Sequence, residues 1–293
     1  MPESGDARRF GDRRDGRQLR SISPVSRLKP YLIPKWAPRL ISDAAEVSAA
    51  EDWLRAARQA GWRGIGFLHI FIAAYIRTVS QYPALNRFVA GRKLFARNGV
   101  VVLMSVKRAP EAGDEETVVK VRFHPADTVF EVYRKLGARI DALNAGEDQG
   151  RAERMAENLT NLPGPLLRLV MWFFRALDSF GLLPRSLLDL SPYHGSISVE
   201  DLSGAGAPPF YRVMEAYGSL PLTAVLGAKR VAREIVDPSG YGMERKYIDY
   251  RLALDGRVAD GVYAAEAMRF LKAHLERPAA LETPPERVIE DVT

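Results

Sequence analysis

The sequence predicts a mixed α/β domain, and two observations support this fold class. Helical and strand-like segments both occur, as a helix pair, strands, helices, more strands and a final helix, without regular β-α-β alternation. Of the 293 residues, 47% are hydrophobic and 27% are charged, which is typical of a globular chain. The sequence has no cysteine, which excludes disulfides, thiolate nucleophiles and sulfur-ligated zinc.

The first third of the chain predicts two helices. Ser48 and Glu51 have the spacing of a capping box, which indicates a helix start at Ser48. A second helix is predicted from Phe67 to Gln81, because Pro83 prevents it from continuing. Apolar residues surround most of that helix, so we expect it to be deeply buried, with His69 as a core histidine bonded to the backbone.

The middle third predicts strands followed by helices. Val100 to Val106 is a continuous apolar run, and Val119 and Val121 alternate with basic residues, so each segment is a predicted strand. Asp127 is the predicted N-cap of the next helix. Further along we predict a polar loop at 109–116, a break at 144–150, more helix over 151–159 and an apolar helix over 166–183.

The last third predicts three strands and a helix. The strands are expected at 196–202, 220–226 and 247–254, with a turn at 238–242 before the last of them. A helix with one apolar face follows Asp260 and Gly261 and runs to Leu275.

The net charge of +6 is concentrated at the start of the sequence. The first 39 residues contain ten Lys or Arg and four acidic residues, which equals the whole excess. We interpret residues 1–26 as a basic, flexible leader; a nucleic-acid or membrane-binding arm is the alternative. The leader has no apolar signal region, and the longest uncharged run of the apolar helix, Leu169 to Phe174, is far below the roughly 20 residues of a membrane span. We therefore expect a cytoplasmic protein.

Several motifs of known chemistry are absent from the sequence. It contains neither of the glycine-rich phosphate-binding motifs, G-x-G-x-x-G or G-x-x-x-x-G-K-S/T, and no G-x-S-x-G nucleophile elbow. Aromatic and basic residues do not alternate on any predicted strand, so no nucleic-acid partner is expected. The four histidines, at positions 69, 124, 194 and 274, are far apart, and no metal site is predicted.

Four separated segments, by contrast, carry a resemblance. They are FIAA through YPALN at 71–86, GSISVEDL at 195–202, AVLG at 224–227 and DGRVADG at 255–261. In this order they are similar to a buried helix ending in P-x-L-N, the strands G-T-F-T-I-S-N-L and A-I-L-G, and the loop D-H-R-x-x-D-G. These motifs belong to the catalytic domain of the 2-oxoacid dehydrogenase acyltransferases, or dihydrolipoamide acyltransferases, which is similar in fold to chloramphenicol acetyltransferase.

The resemblance implies one α/β domain at 27–280, a chloramphenicol acetyltransferase-like mixed β-sheet flanked by helices. It also implies a homotrimer with channels between subunits, which coenzyme A or acyl-CoA and a small-molecule acyl acceptor enter. An apolar helix near 164–184 looks like an insertion, and 281–293 like a C-terminal tail. No D-K-A lipoylation motif occurs and no lipoyl domain is expected, so no lipoyl group is implied.

The sequence departs from the family pattern at two positions. The family histidine, a general base that takes the proton of the thiol, corresponds to Gly256. The hydroxyl that stabilises the oxyanion corresponds to Glu200, beside Asp201 in the place of asparagine. The rest of the loop motif is retained as Asp255, Arg257, Asp260 and Gly261, and Asp260 is expected to pair with an arginine, for which Arg27 is the candidate.

Two functions remain open, because loss of a general base typically costs about 10²- to 10⁴-fold in rate. The first is a stand-alone CoA-dependent acyltransferase in which Glu200, Asp201 or His194 supplies the base. Ser198 would offer a hydroxyl if the strand alignment slipped, and we expect a one-residue slip to reverse its side of the sheet. The second is a non-catalytic trimeric scaffold or a pseudoenzyme that binds an acyl or CoA ligand. Either could add a weak membrane-surface contact through the leader and the apolar helix.

Overall fold

The structure is a computed structural model that describes residues 9–107, 116–144, 159–235 and 242–292. Helices and strands are interspersed along the chain, as the sequence predicts. In chain order they are β1 (Gly16–Gln18), α1 (Pro24–Leu32), β2 (Arg39–Glu46), α2 (Ser48–Gln59), α3 (Phe67–Gln81), β3 (Arg87–Ala90), β4 (Lys93–Arg97), β5 (Val100–Lys107), β6 (Glu116–Phe123), α4 (Val129–Asn144), α5 (Gly164–Ser179), α6 (Arg185–Leu190), β7 (Ile197–Asp201), β8 (Leu222–Ile235), β9 (Gly242–Leu254) and α7 (Gly261–Glu276).

A six-stranded mixed sheet forms the centre of the fold, in the order β2-β9-β8-β7-β5-β6. The short strand β7 runs parallel to its neighbours β5 and β8, and the other neighbouring pairs are antiparallel. The registers align Ser198 with Leu103 on one side and with Thr223 on the other. The two strands that carry family motifs, β7 and β8, therefore lie side by side.

The two faces of this sheet differ in chemistry because side chains alternate along each strand. One face is apolar and packs against α2, α3, α4 and α7, with α3 buried along most of its length as predicted. The other face carries polar side chains, among them Lys120 and Arg122 of β6 and Ser198 and Glu200 of β7. The hydroxyl of Tyr75 in α3 donates to the Ser196 carbonyl at 3.2 Å, which anchors the start of β7.

A second, three-stranded sheet in the order β1-β4-β3 contains part of the segment that was expected to be a flexible leader. β1 pairs with β4, and Arg13 is only 3% exposed, with its guanidinium 5.5 Å from the ring centre of Phe88. Within this segment, residues 16–18 pair with β4 and Arg13 is buried, whereas Phe10 and Val25 are exposed. Basic side chains of the first 39 residues form ion pairs with acidic residues elsewhere in the fold. A count of the charges in those residues cannot detect such pairs.

Two predicted helix caps are wrong. The N-cap of α2 is Val47, and Ser48 is already helical; its N–H is satisfied by the carboxylate of Glu46 at 2.9 Å. At α4 the reciprocal bonds run between Thr128 and Glu131, whereas Asp127 accepts the N–H of His124 at 2.9 Å. In both cases a neighbouring carboxylate competes for the same backbone donors.

The main predicted elements are confirmed, with differences in length. α3 and the strand at 100–106 agree with expectation, the strands at 220–226 and 247–254 extend into the longer β8 and β9, and the apolar helix α5 ends earlier, at Ser179. The predicted loop at 109–116, break at 144–150, helix at 151–159 and turn at 238–242 fall mostly outside the described residues. Within the described ranges, every helix is too short or too polar to cross a bilayer.

Candidate functional site

The loop between β9 and α7 carries the DGRVADG motif, and an internal ion pair fixes its shape. The Asp255 carboxylate accepts the backbone N–H of Arg257 at 3.0 Å and its guanidinium at 2.6 to 3.1 Å. The N–H of Asp255 donates to the Pro221 carbonyl at 2.8 Å, which joins the loop to the start of β8. Asp255 is buried, so this charge-assisted pair is shielded from water.

Gly256 lies buried in this loop and has room for the first carbon of a side chain. A Cβ placed there would be 3.7 Å from Arg39 Nε and 3.9 Å from the Ala37 carbonyl, both ordinary van der Waals distances. Its φ angle is outside the left-handed region that favours glycine. Neither the backbone nor the packing at Cβ therefore requires glycine at the position of the family histidine.

Asp260 pairs with Lys29 of α1, so the expected arginine partner Arg27 is wrong. The hydrogen bond from Lys29 holds the pKa of Asp260 below its ordinary value, and the nearby Arg39 acts in the same direction. Lys29 and Arg27 are two residues apart in α1, so their side chains do not share a face of the helix. Arg27 instead donates to the Arg20 carbonyl.

Two further cations surround the loop. Lys35 donates to the carbonyls of Tyr217 and Gly218 at 3.2 and 2.9 Å. Burial lowers the pKa of Lys35 to about 8, although the charge of Asp255 opposes this change. Together with Arg39, this lysine makes the surroundings of Gly256 basic.

The polar face of β7 forms the second part of the candidate site. Ser198 is 5% exposed, and its hydroxyl accepts a hydrogen bond from Arg212 Nη1 at 3.1 Å. The same nitrogen lies 4.0 Å from a carboxylate oxygen of Glu200, and the other nitrogen lies 3.5 Å from Glu215. Arg212 therefore joins the serine and the glutamate of the strand.

The positions of these side chains correct one expectation. Ser198 and Glu200 are two residues apart on β7, so they lie on the same side of the sheet. The alignment would have to shift by two residues to bring Ser198 to the position of Glu200. A shift of two residues keeps the side chain on the same side of the sheet. Asp201, by contrast, is exposed and accepts the N–H of Ser203 at 2.9 Å in the turn after the strand.

The loop and the strand are well separated within one chain. In the sheet, Ser198 of β7 lies opposite Thr223 of β8, which lies opposite Ala253 of β9. Gly256 follows Ala253 by three residues, so it lies two strands away from Ser198 and beyond the end of β9. Strand spacing and rise place the two positions about 14 Å apart. These are backbone positions, so the side chains at 198 and 256 of one copy would have to bridge this distance to serve one reaction centre.

His194 lies in a buried polar cluster at the start of β7. It is 2% exposed, its Nδ1 is 2.7 Å from the Ser191 hydroxyl, and its Nε2 is 3.3 Å from the Asp178 carboxylate. Arg13 contacts the same carboxylate at 2.6 Å. Burial lowers the pKa of His194 and the Asp178 charge only partly opposes it. Within the described residues, no cluster of three or more acidic or histidine side chains could hold a metal ion.

Comparisons with known proteins identify the fold. No protein-family profile and no curated protein sequence matches the chain. Solved structures do match: the dihydrolipoamide acetyltransferase of Azotobacter vinelandii has 15% identity over 96% of this chain and 98% of its own, with a TM-score of 0.56. The cubic core of a pyruvate dehydrogenase multienzyme complex has 14% identity over 96% and 98%, with a TM-score of 0.54. A chloramphenicol acetyltransferase has 13% identity over 85% and 94%, with a TM-score of 0.51. The chain has the chloramphenicol acetyltransferase fold.

This acetyltransferase fold confirms the predicted fold class and the predicted resemblance in architecture. The structure brings Asp255, Gly256 and Arg257 together in one loop, and Ser198 with Glu200 on one strand face. It does not bring the predicted base candidates to Gly256. Asp201 is the exposed last residue of β7, and His194 lies before the start of that strand, at the opposite end from Glu200.

Sequence reasoning missed three residues around these positions: Lys35, Arg39 and Arg212. Lys35 belongs to an irregular segment and Arg39 begins an edge strand, whereas Arg212 lies between β7 and β8. Lys35 donates to backbone carbonyls remote in sequence, and Arg212 contacts Ser198 and Glu200 on β7, so no local spacing indicates these contacts. The only available signal was their charge in segments next to the acetyltransferase motifs.

Proposed function

We propose that this protein binds an acyl or CoA ligand in the acetyltransferase fold without using residue 256 as a base. The observation that carries the proposal is Gly256, which stands in a loop fixed by Asp255 and Arg257. Glycine cannot accept a proton, and the space at its Cβ is not closed by packing. A ligand-binding protein needs the shape of this loop, whereas thiol activation needs its missing side chain.

The charges around the loop support an anionic ligand. Lys35 and Arg39 lie against it. Of the carboxylates that act on these cations, Asp255 is already paired with Arg257 and Asp260 with Lys29. Lysine and arginine are the side chains that most often bind phosphate. The phosphate groups of CoA fit this requirement.

The sheet face favours acyl transfer as a second candidate function. Arg212 donates to Ser198 and lies 4.0 Å from Glu200, so a hydroxyl, a carboxylate and a guanidinium meet on one strand. In that reaction Glu200 would take the proton of the acceptor. Ser198 and Arg212 would stabilise the oxyanion that forms when the acceptor attacks the acyl carbonyl.

We also propose a homotrimer, in which the loop of one copy meets the sheet face of another. The separation of about 14 Å between Gly256 and Ser198 within one chain supports this arrangement, given the strand spacing. The hairpin of β8 and β9 extends past the sheet and exposes Val231 and Ile235 on one side, at 58% and 76%. Such apolar side chains would be covered in an assembly.

Titration calorimetry with acetyl-CoA tests the binding proposal. We expect binding to the unmodified protein, at least tenfold weaker binding to Arg39→Glu, and unchanged binding to Arg269→Glu, an exposed position on α7. No heat of binding at millimolar acetyl-CoA would contradict the proposal. Equal affinity in all three proteins would place the ligand elsewhere on the molecule.

A turnover assay separates the two candidate functions. Release of CoA is followed by chromatographic separation of CoA from acetyl-CoA, because transfer to a thiol acceptor leaves the total number of thiols unchanged. We expect no release from acetyl-CoA with thiol, amine or hydroxyl acceptors in the unmodified protein, and release to thiol acceptors by the double variant Gly256→His, Glu200→Ser. Gly256→Ala is the matched control for the loop. Turnover by the unmodified protein that Glu200→Gln abolishes would establish acyl transfer instead.

A further inference from the structure

Two cavities of opposite chemistry lie on either side of the short helix α6. The first is apolar, with a volume of about 330 Å³, and its main walls are Met171, Phe174, Leu183, Leu187, Leu190 and Tyr217. The second has a volume of about 440 Å³ and is lined chiefly by Lys120, Arg122, Arg139, Arg185 and Asp189. Neither cavity includes the loop at Gly256 or the Ser198 hydroxyl.

The second cavity, here called the basic cavity, is lined by Lys120, Arg122 and Arg185 and by one carboxylate, Asp189. Asp189 lies 3.2 Å from Arg122 and 3.9 Å from Arg185, so a single acid is shared between two guanidinium groups. Lys120 points to the same side of β6 as Arg122, and burial together with Arg97 lowers its pKa to about 7. A bound anion would compensate the excess of positive charge.

The first cavity, here called the apolar cavity, is suited to an aliphatic chain. Its volume is about twice that of an apolar cavity that holds one benzene ring, which is enough for a chain of about ten carbons. Tyr217 forms one wall, and the carbonyl of the same residue accepts Lys35 beside the Gly256 loop. The apolar cavity therefore lies next to the candidate site.

The two cavities meet at the C-terminal end of α6. Leu190 lines both of them, and Ser191 lines the apolar cavity while its carbonyl accepts Lys120 Nζ at 3.2 Å. The surroundings change from hydrocarbon to cationic across these two residues. A ligand with one apolar and one anionic part matches this junction.

We propose that the two cavities bind one amphiphile, with an aliphatic acyl chain in the apolar cavity and a phosphate-bearing group in the basic cavity. This inference rests on the proposed function in one respect, since a medium-chain acyl-CoA is one member of that class. An alkyl phosphate is another. The pantetheine arm separates the chain of acyl-CoA from its phosphates, so the shared chemistry is a chain of about ten carbons and a phosphate within one molecule.

The inference is tested by calorimetry on the full-length protein with decanoyl-CoA, CoA, sodium decanoate and dodecyl phosphate. We expect decanoyl-CoA to bind at least tenfold more tightly than CoA or decanoate, because one ligand then links both contacts. Arg122→Glu should weaken decanoyl-CoA and dodecyl phosphate at least tenfold and leave decanoate and CoA unchanged, because CoA without a chain binds at Lys35 and Arg39. Leu187→Trp should weaken decanoyl-CoA, decanoate and dodecyl phosphate, and leave CoA unchanged.

Matched controls keep the result interpretable. Arg269→Glu and Leu182→Trp make the same replacements at exposed positions outside both cavities and should have no effect. If either test variant fails to fold, judged by its melting temperature, Arg185→Glu or Phe174→Trp replaces it.

Each other outcome overturns a distinct statement. Decanoyl-CoA binding that ignores both cavity variants but is lost in Arg39→Glu refutes this inference and preserves the proposed function. Dodecyl phosphate binding with the expected cavity dependence, without any binding of CoA esters, preserves the inference and refutes the proposed CoA ligand. Absence of binding by all four compounds refutes both.

Discussion

The guanidinium of Arg212 sets the chemistry available on the polar face of the sheet. It donates to the hydroxyl of Ser198 and approaches the carboxylate of Glu200 from the same side. The positive charge of the guanidinium, 4.0 Å from Glu200, offsets part of the repulsion that the carboxylate would exert on a developing oxyanion.

Asp255→Ala is expected to destabilise the protein by about 3 kcal/mol, because it leaves the guanidinium of Arg257 without its partner in a nearly buried place. Urea unfolding measures this difference. Asp52→Ala is the control: its ion pair with Arg55 is exposed on both sides, and a change below about 0.5 kcal/mol is expected. Equal effects of the two replacements would contradict a structural role for the loop pair.

His194 should make the protein sensitive to mild acid. Burial lowers its pKa in the folded state, so the unfolded chain binds more protons once the pH falls below about 6.5, and stability decreases in that range. Protonation would add positive charge beside Arg13 and Arg97. The negative charges of Asp178 and Asp15 reduce this repulsion only in part. The pKa values of two other histidines, His69 and His274, are lowered in the same direction and contribute similarly.

The contribution of His194 is isolated by comparing slopes. Urea unfolding of the unmodified protein and of His194→Gln between pH 7.5 and 5 should show a shallower loss of stability in the variant, by up to about 1.4 kcal/mol per pH unit. Identical slopes would mean that His194 is protonated equally easily in both states.

At the scale of elements, β1 depends on a glycine. A Cβ at Gly16 would lie 2.6 Å from the Ala96 carbonyl and 2.7 Å from the Phe88 ring, so Gly16→Ala forces β1 away from β4. We expect a loss of about 1 to 3 kcal/mol in urea unfolding. Gly137→Ala in α4 meets nothing within 4 Å and should instead stabilise the helix by about 0.5 to 1 kcal/mol. A neutral Gly16→Ala would show that β1 is not firmly paired.

Helix α5 exposes large apolar side chains, including Trp172 at 64% and Phe173 at 51%. The weak membrane-surface contact considered for this helix is therefore best tested here. The double variant Trp172→Glu, Phe173→Glu should keep its melting temperature and lose co-flotation with anionic lipid vesicles. If the unmodified protein does not float with vesicles, the apolar side chains serve another contact.

The limits of prediction differ between elements and sites. α3 and β5 were predictable because their apolar patterns are continuous and local. The packing of β1 was not, since its partner β4 is about 80 residues away and Arg13 is satisfied by Asp178 across 165 residues. The candidate site was predictable at Gly256 and Ser198 through family motifs, whereas Arg39 and Arg212 act through spatial proximity that no short pattern records.

At the scale of the whole molecule, sedimentation equilibrium is expected to give a mass close to three times the 32.6 kDa of one chain. Val231→Glu, Ile235→Glu should reduce this mass, because charges then replace the apolar side of the hairpin. Lys229→Glu, in the same strand, is the control for added charge. A monomer at all concentrations would exclude the proposed shared site between copies.

The contact between Arg13 and Asp178 has a consequence in time. The two residues are separated by 165 positions, so at ordinary rates of synthesis the carboxylate emerges about 8 to 33 s after its partner. During that interval Arg13 lacks this partner, although β1 can already pair with β4, where Arg97 lies opposite Gly16. The buried charge cluster around Arg13 is therefore completed only after the chain through Asp178 has been synthesised.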